Sequence, residues 1–100
     1  MEKYDVKMLP KALRDIDDIF DYIADELIEP KIAEGMFSSI EDAILSLDEF
    51  PYRGSERKVG VYANKGYRQL FVKNFTIIYR VDEILKQIIV VTVRYSPSHF

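Results

Sequence analysis

His99 is the only side chain in the sequence that ordinarily titrates near neutrality, which makes it the first candidate for proton transfer. It stands one residue from the end, after Ser96-Pro97-Ser98. There it is either a general acid/base delivered by a tail folded over a sheet, or an end residue without a role. Cations able to stabilise charge developing on a phosphate are more plentiful. Arg68 and Arg94 lie inside strand-like runs, and Arg53, Arg57, Lys58 and Lys65 stand in the loops before the first long strand. Tyr95 offers a ring for stacking a base, or packs at a sheet edge. Arg68, set in an apolar row, caps the rim of the sheet or reaches into a cleft; alternatively, Arg68 or Arg80 pairs across strands with an acidic helix residue. Ser96 and Ser98 have no base–orienter partners, so serine-hydrolase chemistry is not supported. Asp17, Asp18 and Asp21 cluster in one helical segment and read as a solvated face rather than a metal site. With no cysteine and one histidine, a disulfide framework, thiolate zinc and a multi-histidine site are all excluded. No glycine-rich phosphate cradle or calcium loop occurs, and neither metal nor cofactor is expected.

The elements that must position these groups follow from periodicity. Residues 3–8 alternate polar and apolar side chains, as a half-buried strand does. Pro10 closes that strand and suits the first turn of a helix. Leu13, Ile16, Ile19, Phe20, Ile23, Ala24 and Leu27 then recur at helical spacing. Pro30 opens a second helix whose stripe runs through Ala33, Met36, Phe37, Ile40, Ala43, Ile44 and Leu47, and Pro51 stops it. The short junction at Glu29-Pro30 predicts an antiparallel helical hairpin. After a polar, basic, turn-like stretch (52–58), three β-rich segments follow: Tyr67–Val72, Phe75–Val81 and Gln87–Arg94. Lys73-Asn74 is a two-residue connection in which asparagine tolerates the left-handed conformation. Val59–Tyr62 adds a short edge strand. The expected fold class is α+β, a two-layer sandwich with an antiparallel sheet covered on one face by the helical hairpin.

The 100 residues suffice for one domain and carry a net charge of −3. That figure conceals a division. Residues 1–51 hold five Lys/Arg against fourteen Asp/Glu, and residues 52–100 hold nine against three, a change from −9 to +6. Such asymmetry suggests a face for a polyanion or an acidic partner. Apolar runs such as Ile88–Val91 are too short to cross a bilayer, and Glu2, Lys3 and Asp5 interrupt any leader-like start. A cytoplasmic protein without a membrane partner is expected.

Two stretches carry a family resemblance. The block 63–83, in which Tyr67-Arg68 opens one strand and Tyr79-Arg80-Val81-Asp82-Glu83 ends the next, resembles the central block of the RelE/ParE toxins of bacterial type II toxin–antitoxin pairs. Phe50-Pro51-Tyr52-Arg53-Gly54 is similar to the Pro-containing segment that leaves that family's second helix. The resemblance spans nearly the whole chain. It implies a five-strand antiparallel sheet with the first strand beside the last, and a small antitoxin, encoded nearby, whose helix and extended segment wrap the toxin. A disordered acidic antitoxin segment would be drawn to the +6 half. RelE-type members cut messenger RNA in the ribosomal A site without metal, using Lys/Arg, Tyr or His to promote attack by the ribose 2′-hydroxyl. ParE-type members inhibit DNA gyrase.

The ending Arg94-Tyr95-Ser96-Pro97-Ser98-His99-Phe100 is similar to the Arg-Tyr-His-Tyr ending of YoeB-like nucleases, with three extra residues and Phe100 for the last tyrosine. Thr76 falls near the place of a catalytic arginine. Tyr95-Ser96 also resembles a Tyr-Ser-Arg-Arg-Asp ending, with Pro97 and Ser98 replacing both arginines. The resemblance therefore implies a ribosome-associated mRNA endonuclease in which Arg68, Arg94 and His99 are catalytic. Arg53, Arg57, Lys58, Lys65 and Tyr95 would hold RNA. The alternatives are a gyrase inhibitor, or a relative that binds only its antitoxin.

Overall fold

The computed structural model describes residues 3–26 and 30–95. Expectations that fall on Leu27, on Glu29 and on the stretch from Ser96 to Phe100, His99 included, lie outside the described residues.

Strand β1 (Asp5–Met8) leads through Leu9, which is extended at φ −67° and ψ 153°, into helix α1 (Pro10–Asp21). Pro10 occupies the first turn, where its missing N–H sacrifices no helical bond. The helix passes into a π-helical turn, Tyr22–Glu26, one residue wider than an α turn, within which Ile23 is fully buried. Pro30 opens α2 (Pro30–Ser46), which buries Ala33, Ile40, Ala43 and Ile44, with Leu47 buried just beyond its end. Four strands follow: β2 (Ser55–Glu56), β3 (Arg68–Val72), β4 (Phe75–Asp82) and β5 (Gln87–Tyr95).

The sheet runs β1-β5-β4-β3-β2, and the two helices cover one of its faces, the expected α+β sandwich. The expected all-antiparallel sheet needs one correction. β2 to β5 are antiparallel throughout, but β1 runs parallel to β5, Val6 lying beside Ile88, so the sheet is mixed. Three reversals separate β2 from β5, so β1, parallel to β5, runs opposite to β2. The expected edge strand at Val59–Tyr62 also fails. Gly60 (φ 77°) and Tyr62 (φ 71°) are left-handed, a conformation no strand accommodates, and the edge strand is Ser55–Glu56 instead. At the β3–β4 turn Lys73 (φ 54°), rather than Asn74, takes the left-handed position, as in a turn whose first central residue has positive φ.

Alternation sorts the sheet residues by face. Leu70, Phe75, Ile77, Tyr79, Ile88, Val90 and Val93 point to the helices and form the core with Ile16, Ile23, Ile40 and Leu47. Each large apolar side chain buried this way contributes roughly 1.5–3 kcal/mol relative to exposure. Gln69, Phe71, Thr76, Ile78, Arg80 and Arg94 share the opposite face by register. Opposite Ile78 and Tyr79, β5 carries an extra residue, Val91, a bulge that bends the strand.

Candidate functional site

The segment Phe50–Gly54, one of the two carrying the family resemblance, is pinned to the sheet by side chains of the other. Tyr79 is fully buried, donates its hydroxyl to Pro51 O at 2.8 Å and accepts the Gly54 N–H at 3.1 Å. Beside it across the strand pair, Arg68 donates Nη2 to Gly54 O at 2.5 Å and reaches Tyr52 O at 3.4 Å. Its guanidinium also lies 5.1 Å from the centre of the Tyr52 ring. Arg68 therefore caps the rim by serving backbone carbonyls. Of the positions open to it from sequence, neither an acidic helix partner nor a free cleft is the one adopted, and its Nε is buried without a partner among the described residues.

A second fastening lies at the β4–β5 turn. Asp82 Oδ1 accepts the N–H groups of Ile84 and Leu85, both at 3.0 Å. Glu83 accepts from the Tyr4 hydroxyl at 2.5 Å, from the Tyr52 hydroxyl, and from Lys86 Nζ at 3.2 Å. These bonds stabilise the carboxylate, first through Tyr4 and then Tyr52, and lower the Glu83 pKa to about 2. The same bond to Glu83, with burial and the carboxylate charge, pushes Tyr52 up to about 12. Tyr79, Asp82 and Glu83, the marks of the Tyr-x-Val-Asp-Glu segment, thus hold the turn and the loop in place. Sequence reasoning gave none of them a role, although their fixed spacing was the available signal.

The basic residues expected to bind RNA are distributed. Arg53 donates to Ser46 Oγ at 2.6 Å, close to an open groove shared by Phe50, Pro51 and Tyr52. Arg57 organises the loop before β3. Its N–H bonds Tyr67 O at 2.9 Å, its Nε donates to Val61 O at 3.2 Å, and its Nη1 donates to Gln69 Oε1 at 2.8 Å. Lys58 and Lys65 are exposed on that loop. Tyr95 packs between Phe75 and Tyr22, with ring centres 5.0 and 6.2 Å away, so it closes the end of the core. Arg94 is exposed and pairs in register with Thr76, on the face opposite to Arg68. The structure thus brings Arg80 and Arg94 to one open face and separates them from Arg68 and Arg53.

The helical side carries a groove of about 500 Å³ between β1, α1 and α2. Val6, Leu13, Phe37 and Leu45 line it, and Asp17 and Glu41 stand at its margin. Among the described residues no group of three or more His, Cys, Asp or Glu is placed to hold a metal ion, and no helix is long and apolar enough to cross a membrane.

This arrangement defines a class. The chain superposes on the toxin–antitoxin system ParDE of P. aeruginosa with a TM-score of 0.75 and 25% identity, covering 93% of this chain and 96% of the other. The RelBE2 toxin–antitoxin complex from Mycobacterium tuberculosis (TM-score 0.66, 20% identity, 96% and 94% covered) shares the fold. So does a YoeB/ParE toxin from Agrobacterium tumefaciens (TM-score 0.62, 20% identity, 92% and 98% covered). The fold is that of the RelE/ParE superfamily. The model of the ParE toxin of type II toxin–antitoxin systems matches residues 6–96, and the chain belongs to that family. No curated protein matches it.

Proposed function

We propose that this ParE-family toxin arrests growth by binding and inhibiting DNA gyrase, in the cytoplasm, and is silenced by a small antitoxin encoded nearby. The observation that carries this reading is the separation of the cations. Cleavage by a ribose 2′-hydroxyl needs a base and converging charge around one phosphate. Here Arg68 is spent on Gly54 O and Tyr52 O, Arg94 stands on the other face, and Arg53 bonds Ser46. The membership in the ParE family supports the same direction. For the antitoxin, the apolar groove on the helices offers a bed for the apolar face of an amphipathic helix, and the basic half remains the place for its acidic extended segment.

One observation favours the endonuclease reading: Arg80 and Arg94 are both exposed on the sheet face turned from the helices, where exposed Phe71 shares the row of Thr76 and Arg94. In that reading they would hold messenger RNA on the ribosome, and His99 would transfer the proton. Purified toxin in a gyrase supercoiling assay, run beside primer-extension mapping of transcripts after brief induction, separates the two. Inhibited gyrase with intact message supports the proposal. Active gyrase with cut message overturns it.

A further inference from the structure

The loop before β3 and the turn after β4 leave the sheet at the same end, because the register sets Arg68 opposite Tyr79. Both present aliphatic side chains to solvent, Val59 (79% exposed) and Val61 (58%) from the loop, Ile84 (93%) and Leu85 (63%) from the turn. Single exposed apolar residues are ordinary, but here four of the most exposed stand on two segments that leave the sheet at one end. Neither segment is loose. Arg57 closes the loop through Tyr67 O, and Asn64 N–H returns to Arg57 O at 2.9 Å. Within it Tyr62 is held at φ 71°, a costly conformation for a bulky side chain that persists only where its surroundings impose it. Asp82 fixes the backbone of Ile84 and Leu85 in the same way.

We propose that this end of the sheet is the surface by which the toxin docks on the folded protein it inhibits, entering an apolar cleft rimmed by carboxylates. The inference rests on the binding mode of action proposed above. Charge sets the partner's rim on the loop side: Lys58 and Lys65 flank the two valines and make no ion pair among the described residues. At the turn, by contrast, Asp82 is occupied by the Ile84 and Leu85 N–H groups, and Glu83 by Tyr4, Tyr52 and Lys86. Chemistry argues for protein over RNA, because bases stack on aromatic or guanidinium planes and these four side chains provide none. The loop's own rings, Tyr62 and Tyr67, pair with each other at 4.9 Å, and the Arg57 guanidinium is bonded to Val61 O and Gln69 Oε1. Rigidity argues for a preformed cleft, since projections already ordered lose little freedom on docking.

The test uses two double variants of the full chain, Ile84→Ser with Leu85→Ser and Val59→Ser with Val61→Ser. All four positions are exposed, and unchanged melting temperatures verify the fold. Each is measured for inhibition of purified gyrase, growth arrest on induction and co-purification with the antitoxin. The proposal expects gyrase inhibition to weaken at least about tenfold in each double variant, with antitoxin binding retained. Inhibition within about twofold of the parent overturns it, as does selective loss of antitoxin binding, which would assign the surface to the antitoxin. If the parent toxin leaves both gyrase and message intact, the gyrase reading fails by itself and growth arrest decides the surface. Doubles that still arrest growth overturn the inference, and doubles that release arrest while holding antitoxin uphold it. If the parent cuts message and the doubles lose that cutting, the surface serves nucleic acid and the inference falls.

Discussion

A Cβ placed at Gly54 would lie 2.4 Å from Gln69 O and 2.8 Å from the Tyr79 hydroxyl, closer than real contacts allow. Gly54→Ala must therefore push the loop off the sheet. We expect it to cost about 1–3 kcal/mol in chemical denaturation, as overpacked sites do. Tyr79→Phe leaves the Gly54 N–H and Pro51 O without their buried partner and should cost about 1–3 kcal/mol in the same measurement. The Glu83 fastening predicts a pH dependence. Its folded pKa, about 2, lies below the ordinary 4.5, so its contribution is complete above 4.5 and is lost as pH falls toward 2. Tyr52 has the opposite sign: raised from 10.0 to about 12, it contributes fully below 10 and loses this as pH rises toward 12. The stability gap between the parent and Glu83→Gln should be widest between these limits and close toward pH 2. A gap that does not change between pH 2 and 7 would contradict this account of the turn.

Among the elements, β5 depends on α1 as well as on its neighbouring strands. β1 ends at Met8, and after Leu9 N–H bonds Val90 O at 2.9 Å the edge of β5 has no further strand beside it among the described residues. Asp15 takes over, accepting the Val93 N–H at 3.2 Å and the Thr92 hydroxyl, with Lys11 Nζ 3.1 Å from its carboxylate. Burial raises the Asp15 pKa, but the bonds from Thr92, Lys11 and Val93 outweigh it and leave it lowered. Asp15→Ala should cost about 1–3 kcal/mol. Hydrogen exchange should show faster opening at Val93 while the centre of β4 stays protected.

The same edge shows what the sequence made legible. Pro10, Pro30, the helical stripes and the strand alternation are local signals, and the elements formed where they pointed. The parallel partnership of β1 with β5 joins residues about eighty positions apart, and no periodicity encodes which edge a first strand selects. Asp15 carries no local signal of its role, because its partners Thr92 and Val93 sit on that distant strand. Arg68 stood out by its apolar neighbours, but its true partners, two carbonyls in the Phe50–Gly54 segment, depend on how that loop crosses the sheet. The expected strand at 59–62 failed because Gly60 and Tyr62 adopt left-handed backbone.

At the scale of the whole molecule, the acidic first half supplies the helical layer and the edge strand β1, and the basic second half supplies the rest of the sheet and its loops. The helical layer carries an apolar groove with carboxylates at its margin, and the sheet layer carries cations on an open face and on the loops at one end. Those cations do not surround a common point, which is what a phosphate-cleaving centre requires and what a protein-binding toxin does not. The most direct measurement of this claim is growth arrest by the toxin carrying both Arg94→Ala and His99→Ala, with antitoxin binding and melting temperature as controls. The account predicts arrest as strong as the parent's. Release from arrest, with antitoxin still bound and the fold intact, would contradict it and restore a nuclease built on those two residues.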